Sequence, residues 1–163
     1  MHFSTVQHFA VAVDAALEAY LDAGFYATLD TPKIASPEVL HIERDGDKAT
    51  VRVRYRLEAD LPAAATAIID PHKLTWVEHT EYDLAARTSR SRFEPDNYAD
   101  RLQASVSTSF VPEGPSASTR SVEGDVKVKV RFVGGKVEDV ICRDLVTHLQ
   151  LEAGLLDRWV AGP

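Results

Sequence analysis

GGKVEDVICRDLVTHLQLEAGLLDRWV, residues 134–160, is the stretch around which the rest of the chain makes sense. At a rise of about 1.5 Å per residue it forms a helix of roughly 40 Å. On a helical wheel Val137, Ile141, Leu145, Leu155, Leu156 and Trp159 make one stripe, with Asp139, Arg143, Gln150 and Asp157 opposite. A helix this long and this one-sided needs a broad apolar surface to rest on. His148 and Glu152 project close to the middle of the stripe, and Asp144 lies nearer its edge. Polar groups aimed at a core need partners or a wet space. The stretch therefore predicts a helix laid across a curved sheet, with a lined hollow between the two.

The surface for that helix is written in the segments before it. Residues 3–10 alternate, and Phe3 and Phe9 mark the set with Thr5 and Gln7 as the buried one. Residues 13–22 place Val13, Leu17, Tyr20 and Leu21 at helical spacing, with Asp14 near the start and Gly24 as a stop. A second short helix, anchored by Phe25, Tyr26 and Leu29, runs to Thr31-Pro32. From Pro37 the period becomes two. Strands at 39–44 and 50–57 flank the hairpin signal Asp45-Gly46-Asp47, and Val51, Val53, Tyr55 and Leu57 face away from Arg52, Arg54 and Arg56. Residues 60–71 break the rhythm and read as a small apolar helix or a lid-like loop.

Alternation resumes at 74–84, with Leu74, Trp76, Glu78, Thr80, Tyr82 and Leu84 inward. Further strands follow at 87–94, at 102–111 and at 118–130. The last of these turns Arg120, Val122, Gly124, Val126, Val128 and Val130 inward, and Lys127, Lys129 and Arg131 outward. No repeat, linker or low-complexity segment interrupts the series, so residues 1–163 are expected to form one domain.

At 163 residues and 18.0 kDa the chain can bury a core of ordinary size. Its net charge of -7 repels phosphate backbones and anionic headgroups, so nucleic acid and membranes are poor partners unless a basic patch is concentrated locally. Cys142 is the only cysteine, which excludes an internal disulfide and points to a reducing cytoplasm. It is placed on the wetter flank of the last helix and read as structural. Residues 1–10 lack a basic segment followed by an apolar run and do not read as a secretory signal, and no run reaches the roughly 18 apolar residues of a spanning helix.

The order of elements is a strand, two short helices, six antiparallel strands and a long final helix. It resembles the helix-grip arrangement of the START-like superfamily, which includes birch-pollen-allergen-like and polyketide-cyclase-like proteins. The stretches Val51-Arg52-Val53-Arg54-Tyr55-Arg56, Asp70-Pro71-His72-Lys73-Leu74-Thr75-Trp76 and Arg120-Ser121-Val122-Glu123-Gly124-Asp125-Val126 are similar to a bacterial branch of it, the domain of unknown function numbered 2505. The resemblance implies an α+β fold: a curved seven-stranded antiparallel sheet wrapped around the C-terminal helix. It also implies a cavity, which in relatives takes lipids, sterols, polyketides or other hydrophobic small molecules. The superfamily shares no catalytic motif, so no residue is carried over as catalytic.

On these registers Glu78 and Thr80 from the sheet, and His148 and Glu152 from the helix, face one hollow. Arg120 joins them, and Trp76 and Tyr82 belong to its aromatic wall. Desolvation of Glu78 or Glu152 is expected to raise its pKa toward neutrality, where His148 could share its proton. The structural alternatives are a surface pair of His148 with Glu152 and an ion pair of Arg120 with Glu78. Two ligands at i,i+4 are not a metal site, no G-x-S-x-G nucleophile occurs, and Gly134-Gly135-Lys136 lacks a phosphate loop, so no metal or cofactor is expected. The expected function is binding of a hydrophobic small molecule. One rival is a cyclase- or hydratase-like proton-transfer enzyme using Glu78 or Glu152 with His148. The other is an interaction module with a filled cavity and an apolar patch around 60–69. Oligomeric state is not legible.

Overall fold

β-Branched and aromatic residues at alternate positions form seven strands: β1 (His2–Phe9), β2 (Ile34–Asp45), β3 (Lys48–Leu57), β4 (Thr75–Asp83), β5 (Thr88–Pro95), β6 (Leu102–Pro112) and β7 (Ser118–Val128). The computed structural model describes residues 1–163, apart from the side chain of Ser36. The strands make one antiparallel sheet in the order β1-β7-β6-β5-β4-β3-β2. The first strand thus pairs with the last, His2 opposite Asp125 and Phe9 opposite Ser118. Gly46, at φ +58°, makes the turn between β2 and β3.

Several boundaries differ from the sequence reading. β2 begins at Ile34 rather than 39 and carries its pairing through Pro37 by a register shift between Ala35 and Glu38. A proline is tolerated there because β2 is an edge strand with a bulge. The two helices after β1 are short, α1 (Val13–Ala19) and α2 (Ala23–Tyr26). The Asp22 carboxylate accepts the Gly24 N–H at 2.8 Å and caps α2, which separates the two. Residues 60–71 contain one short helical turn, α3 (Ala63–Thr66), and lead into a 3-10 turn at Pro71–Lys73. β7 ends at Val128, two residues early, and the Val128 N–H there donates to Glu138 Oε1 at 2.8 Å.

The final helix, α4 (Gly134–Ala161), has 28 residues and packs on β1, β7 and α1. Gly134 is needed where it starts, since a Cβ there would lie 2.4 Å from the Val128 carbonyl oxygen. Val137 and Leu156 are fully buried on the expected stripe. The buried face is wider than that stripe. Cys142 is 5% exposed and Asp144 only 1%, so neither lies on the wet flank or edge expected for it. The sheet curls around the helix, and the segment between α2 and β2 covers its other side. There Lys33 Nζ sits 3.3 Å from Asp144 Oδ1, and Thr31 Oγ1 lies 3.0 Å from His148 Nδ1.

Candidate functional site

Period-two geometry turns Trp76, Glu78, Thr80 and Tyr82 of β4 to the inner face, toward Arg120 on β7 and His148 and Glu152 on α4. These seven side chains all border one hollow between sheet and helix. Tyr26, Tyr55 and Phe93 complete much of its wall, and it leaves about 70 Å³ for the centres of water-sized guests.

Inside it the polar groups divide into two sets. Glu152 Oε1 accepts from Gln7 Nε2 at 3.2 Å, from Arg120 Nη1 at 3.3 Å and from the Tyr20 hydroxyl. Its Oε2 lies 3.3 Å from His148 Nε2. A ring donating from Nε2 to Glu152 and accepting at Nδ1 from the Thr31 hydroxyl satisfies both of its neighbours. Arg120 Nη1 also donates to Gln7 Oε1 and to the Tyr20 hydroxyl oxygen, each at 3.0 Å, and the guanidinium lies 4.5 Å over the Tyr20 ring. Burial alone would raise the Glu152 pKa. The hydrogen bond from His148, the Arg120 charge and the Tyr20 hydroxyl outweigh it and hold the carboxyl at about 2.

Three expectations are corrected by this network. Glu152 is a firmly ionised carboxylate, not one raised toward neutrality, because four partners replace its water. The ion pair of Arg120 is with Glu152 rather than Glu78. Nor is the His148 and Glu152 contact a surface pair, since the two residues are 5% and 4% exposed.

Glu78 forms the second set. Its Oε1 accepts only a long 3.4 Å hydrogen bond from the Thr80 hydroxyl, and Thr80 is in turn 2.8 Å from Ser91 Oγ. Among the described residues no cation comes within ion-pair distance of it. Glu78 is half-buried and borders the hollow. Burial raises its pKa, against the nearby Ser91 hydroxyl and the charge of Arg120.

Trp76 stands between Tyr55 and Phe93, at ring centroid distances of 5.6 and 5.7 Å and interplanar angles of 23° and 9°. Beyond it lies a second hollow of about 60 Å³, bordered almost wholly by apolar groups. Gln7, Tyr20 and Thr31 are the network members that the sequence reading did not assign to the site. Gln7 had a signal, because an amide in register with Phe3 and Phe9 must be buried and therefore bonded. The Tyr20 hydroxyl and Thr31 had none. Among the described residues no three His, Cys, Asp or Glu side chains are grouped to hold a metal ion.

Residues 4–160 match the family described as protein of unknown function, DUF2505. The chain belongs to that family. This DUF2505 chain is similar in structure to a START superfamily protein from Mycobacterium smegmatis, at 21% identity, with a TM-score of 0.61 over 98% of this chain and 97% of that one. It is also similar to the Zhui aromatase/cyclase from Streptomyces sp. R1128, at 17% identity, with a TM-score of 0.65 over 100% and 99% of the two chains. A third similar structure is norcoclaurine synthase from Thalictrum flavum in complex with dopamine and hydroxybenzaldehyde, at 15% identity, with a TM-score of 0.65 over 99% and 86%. At these identities the likeness is one of fold, the START-like helix grip. No curated protein matches the sequence. No helix is long and apolar enough to cross a membrane.

Proposed function

We propose that the protein binds a hydrophobic small molecule, lipid-, sterol- or polyketide-like, between sheet and α4, and that Glu78 orients it. The observation that carries this reading is the division of the polar groups. Arg120, His148 and Glu152 are tied to one another and to Gln7, Tyr20 and Thr31, whereas Glu78 faces the hollow with only hydroxyls beside it. A mostly apolar wall with one uncommitted polar group is the usual make-up of a small-molecule site. The named activities of the similar folds, an aromatase/cyclase and a synthase, support a small-molecule role. The free room is smaller than the ~300 Å³ of ordinary ligand sites, so a guest of lipid size enters by parting the walls. A reducing compartment such as the cytoplasm suits the buried free thiol of Cys142.

The test is native mass spectrometry of the purified protein beside its Glu78→Gln variant. A small molecule that stays with the wild type and is depleted from the variant supports the reading. A wild type that neither retains nor takes up any apolar molecule overturns it.

A second reading, proton-transfer catalysis, is favoured by one observation: neighbouring carboxyls with pKa values pushed in opposite directions, Glu78 up and Glu152 down. Since protein groups already occupy both Glu152 oxygens, the acid in such chemistry is Glu78. Turnover of an added ketide or aldehyde that is abolished by Glu78→Gln distinguishes this from binding alone. The interaction module has the least support, because a hollow is present and Ile68 is the one large exposed hydrophobic residue in 60–69.

A further inference from the structure

The two hollows lie end to end, and the three residues that border both are Trp76, Phe93 and Leu145. On one side of this wall stand Glu78 and the Arg120 network. On the other stand Leu57, Leu74, Leu102 and Ile141, and the half-exposed Leu102 and Ile141 lead to the surface at that end of the sheet. Trp76 and Leu145 are buried, whereas Phe93 is only half-buried, which makes its ring the member of the wall that can swing. The wall also holds an orphan. Trp76 Nε1 is buried and has no hydrogen-bond acceptor, although a buried indole N–H ordinarily finds one.

We propose that the two hollows are one site joined by movement of Phe93, and that the guest is a linear amphiphile. Its polar end lies at Glu78, an ester- or ketone-type oxygen accepts from Trp76 Nε1, and an apolar tail fills the outer hollow. This rests on the binding reading above and narrows it to a class of ligand. Trp76 and Glu78 are successive inward residues of one strand, about 7 Å apart. That spacing sets the polar end and the acceptor oxygen four or five bonds from each other. A rigid compact ring system does not meet these requirements, and a flexible chain with an oxygen near its head does.

Two probes of equal length separate the parts of the proposal. Ethylene glycol monooctanoate carries a hydroxyl, then an ester, then a tail, and 1-undecanol lacks the ester. The chain has two tryptophans, so ¹⁵N-tryptophan labelling gives two indole signals, which a Trp159→Phe variant assigns. The ester is expected to bind the wild type about three- to tenfold more tightly than the alcohol, the value of one buried hydrogen bond. It is also expected to move the Trp76 indole proton downfield, and the alcohol is not. In Trp76→Phe, which keeps an aromatic ring in the stack, the preference disappears. Equal binding of the two probes by the wild type, or equal weakening of both in Trp76→Phe, overturns the inference and leaves the binding reading standing. Binding of neither probe defeats both. Should Trp76→Phe fail to fold, the wild-type indole shifts decide alone: a downfield move with the ester only supports the proposal, and equal shifts overturn it.

Discussion

Replacing Glu78 by glutamine removes one titrating group from a site whose other polar members face it from every side: Thr80 on its own strand, Ser91 on β5, Arg120 on β7, and His148 and Glu152 on α4. The folded protein holds the Glu78 proton above the ordinary 4.5, so this residue's contribution to stability is complete below that value and is lost as pH rises through its raised pKa. Glu152 has the opposite sign. Its contribution is present above 4.5 and fades as pH falls from there toward about 2. Thermal denaturation across pH 2 to 8 should therefore show Glu78→Gln flattening the neutral side of the profile and leaving the acid side unchanged. At the same scale, Glu152→Leu strands a buried Arg120 and should cost about 3–5 kcal/mol. Adding Arg120→Met should recover much of that, as measured by urea denaturation in a double-mutant cycle. Because the network is closed, leucine at both His148 and Glu152 is expected to disturb the fold more than a ligand.

Gly134→Ala forces a methyl group against the Val128 carbonyl where β7 hands over to α4, and about 1–3 kcal/mol of destabilisation is expected in urea melts. Cys142 supplies a second check on how α4 is seated. Its thiol is buried, burial raises its pKa, and it should react with a disulfide reagent only on unfolding. Placing it on the wet flank shows the limit of a helical wheel. Periodicity marks the centre of the buried stripe, and Val137, Leu145 and Leu156 were legible for that reason. It does not say how far a curled sheet and a covering loop extend around the helix, which is what buries Cys142 and Asp144. The same holds for the site. Alternation in β4 identified Glu78 and Thr80, because direction along a strand is a local property. Two partners of Glu152, Gln7 on β1 and Tyr20 at the end of α1, lie more than 130 residues away, and no local pattern encodes which carboxylate Arg120 will meet.

At the scale of the molecule, a guest that binds only the folded state must raise the melting temperature with concentration. A hundredfold excess over Kd corresponds to about 2.7 kcal/mol, so a thermal-shift screen of apolar compounds reads the proposed function directly. An absence of any concentration-dependent shift across flexible amphiphiles would count against it. The ladder between β1 and β7 has a consequence for how the protein is made. Phe3, Gln7 and Phe9 emerge from the ribosome early, yet the strand that covers their edge does not begin until Ser118. At about 5–20 residues per second, the nascent chain waits roughly 6–25 s for that partner. During that interval its leading segment is open to chaperones and proteases.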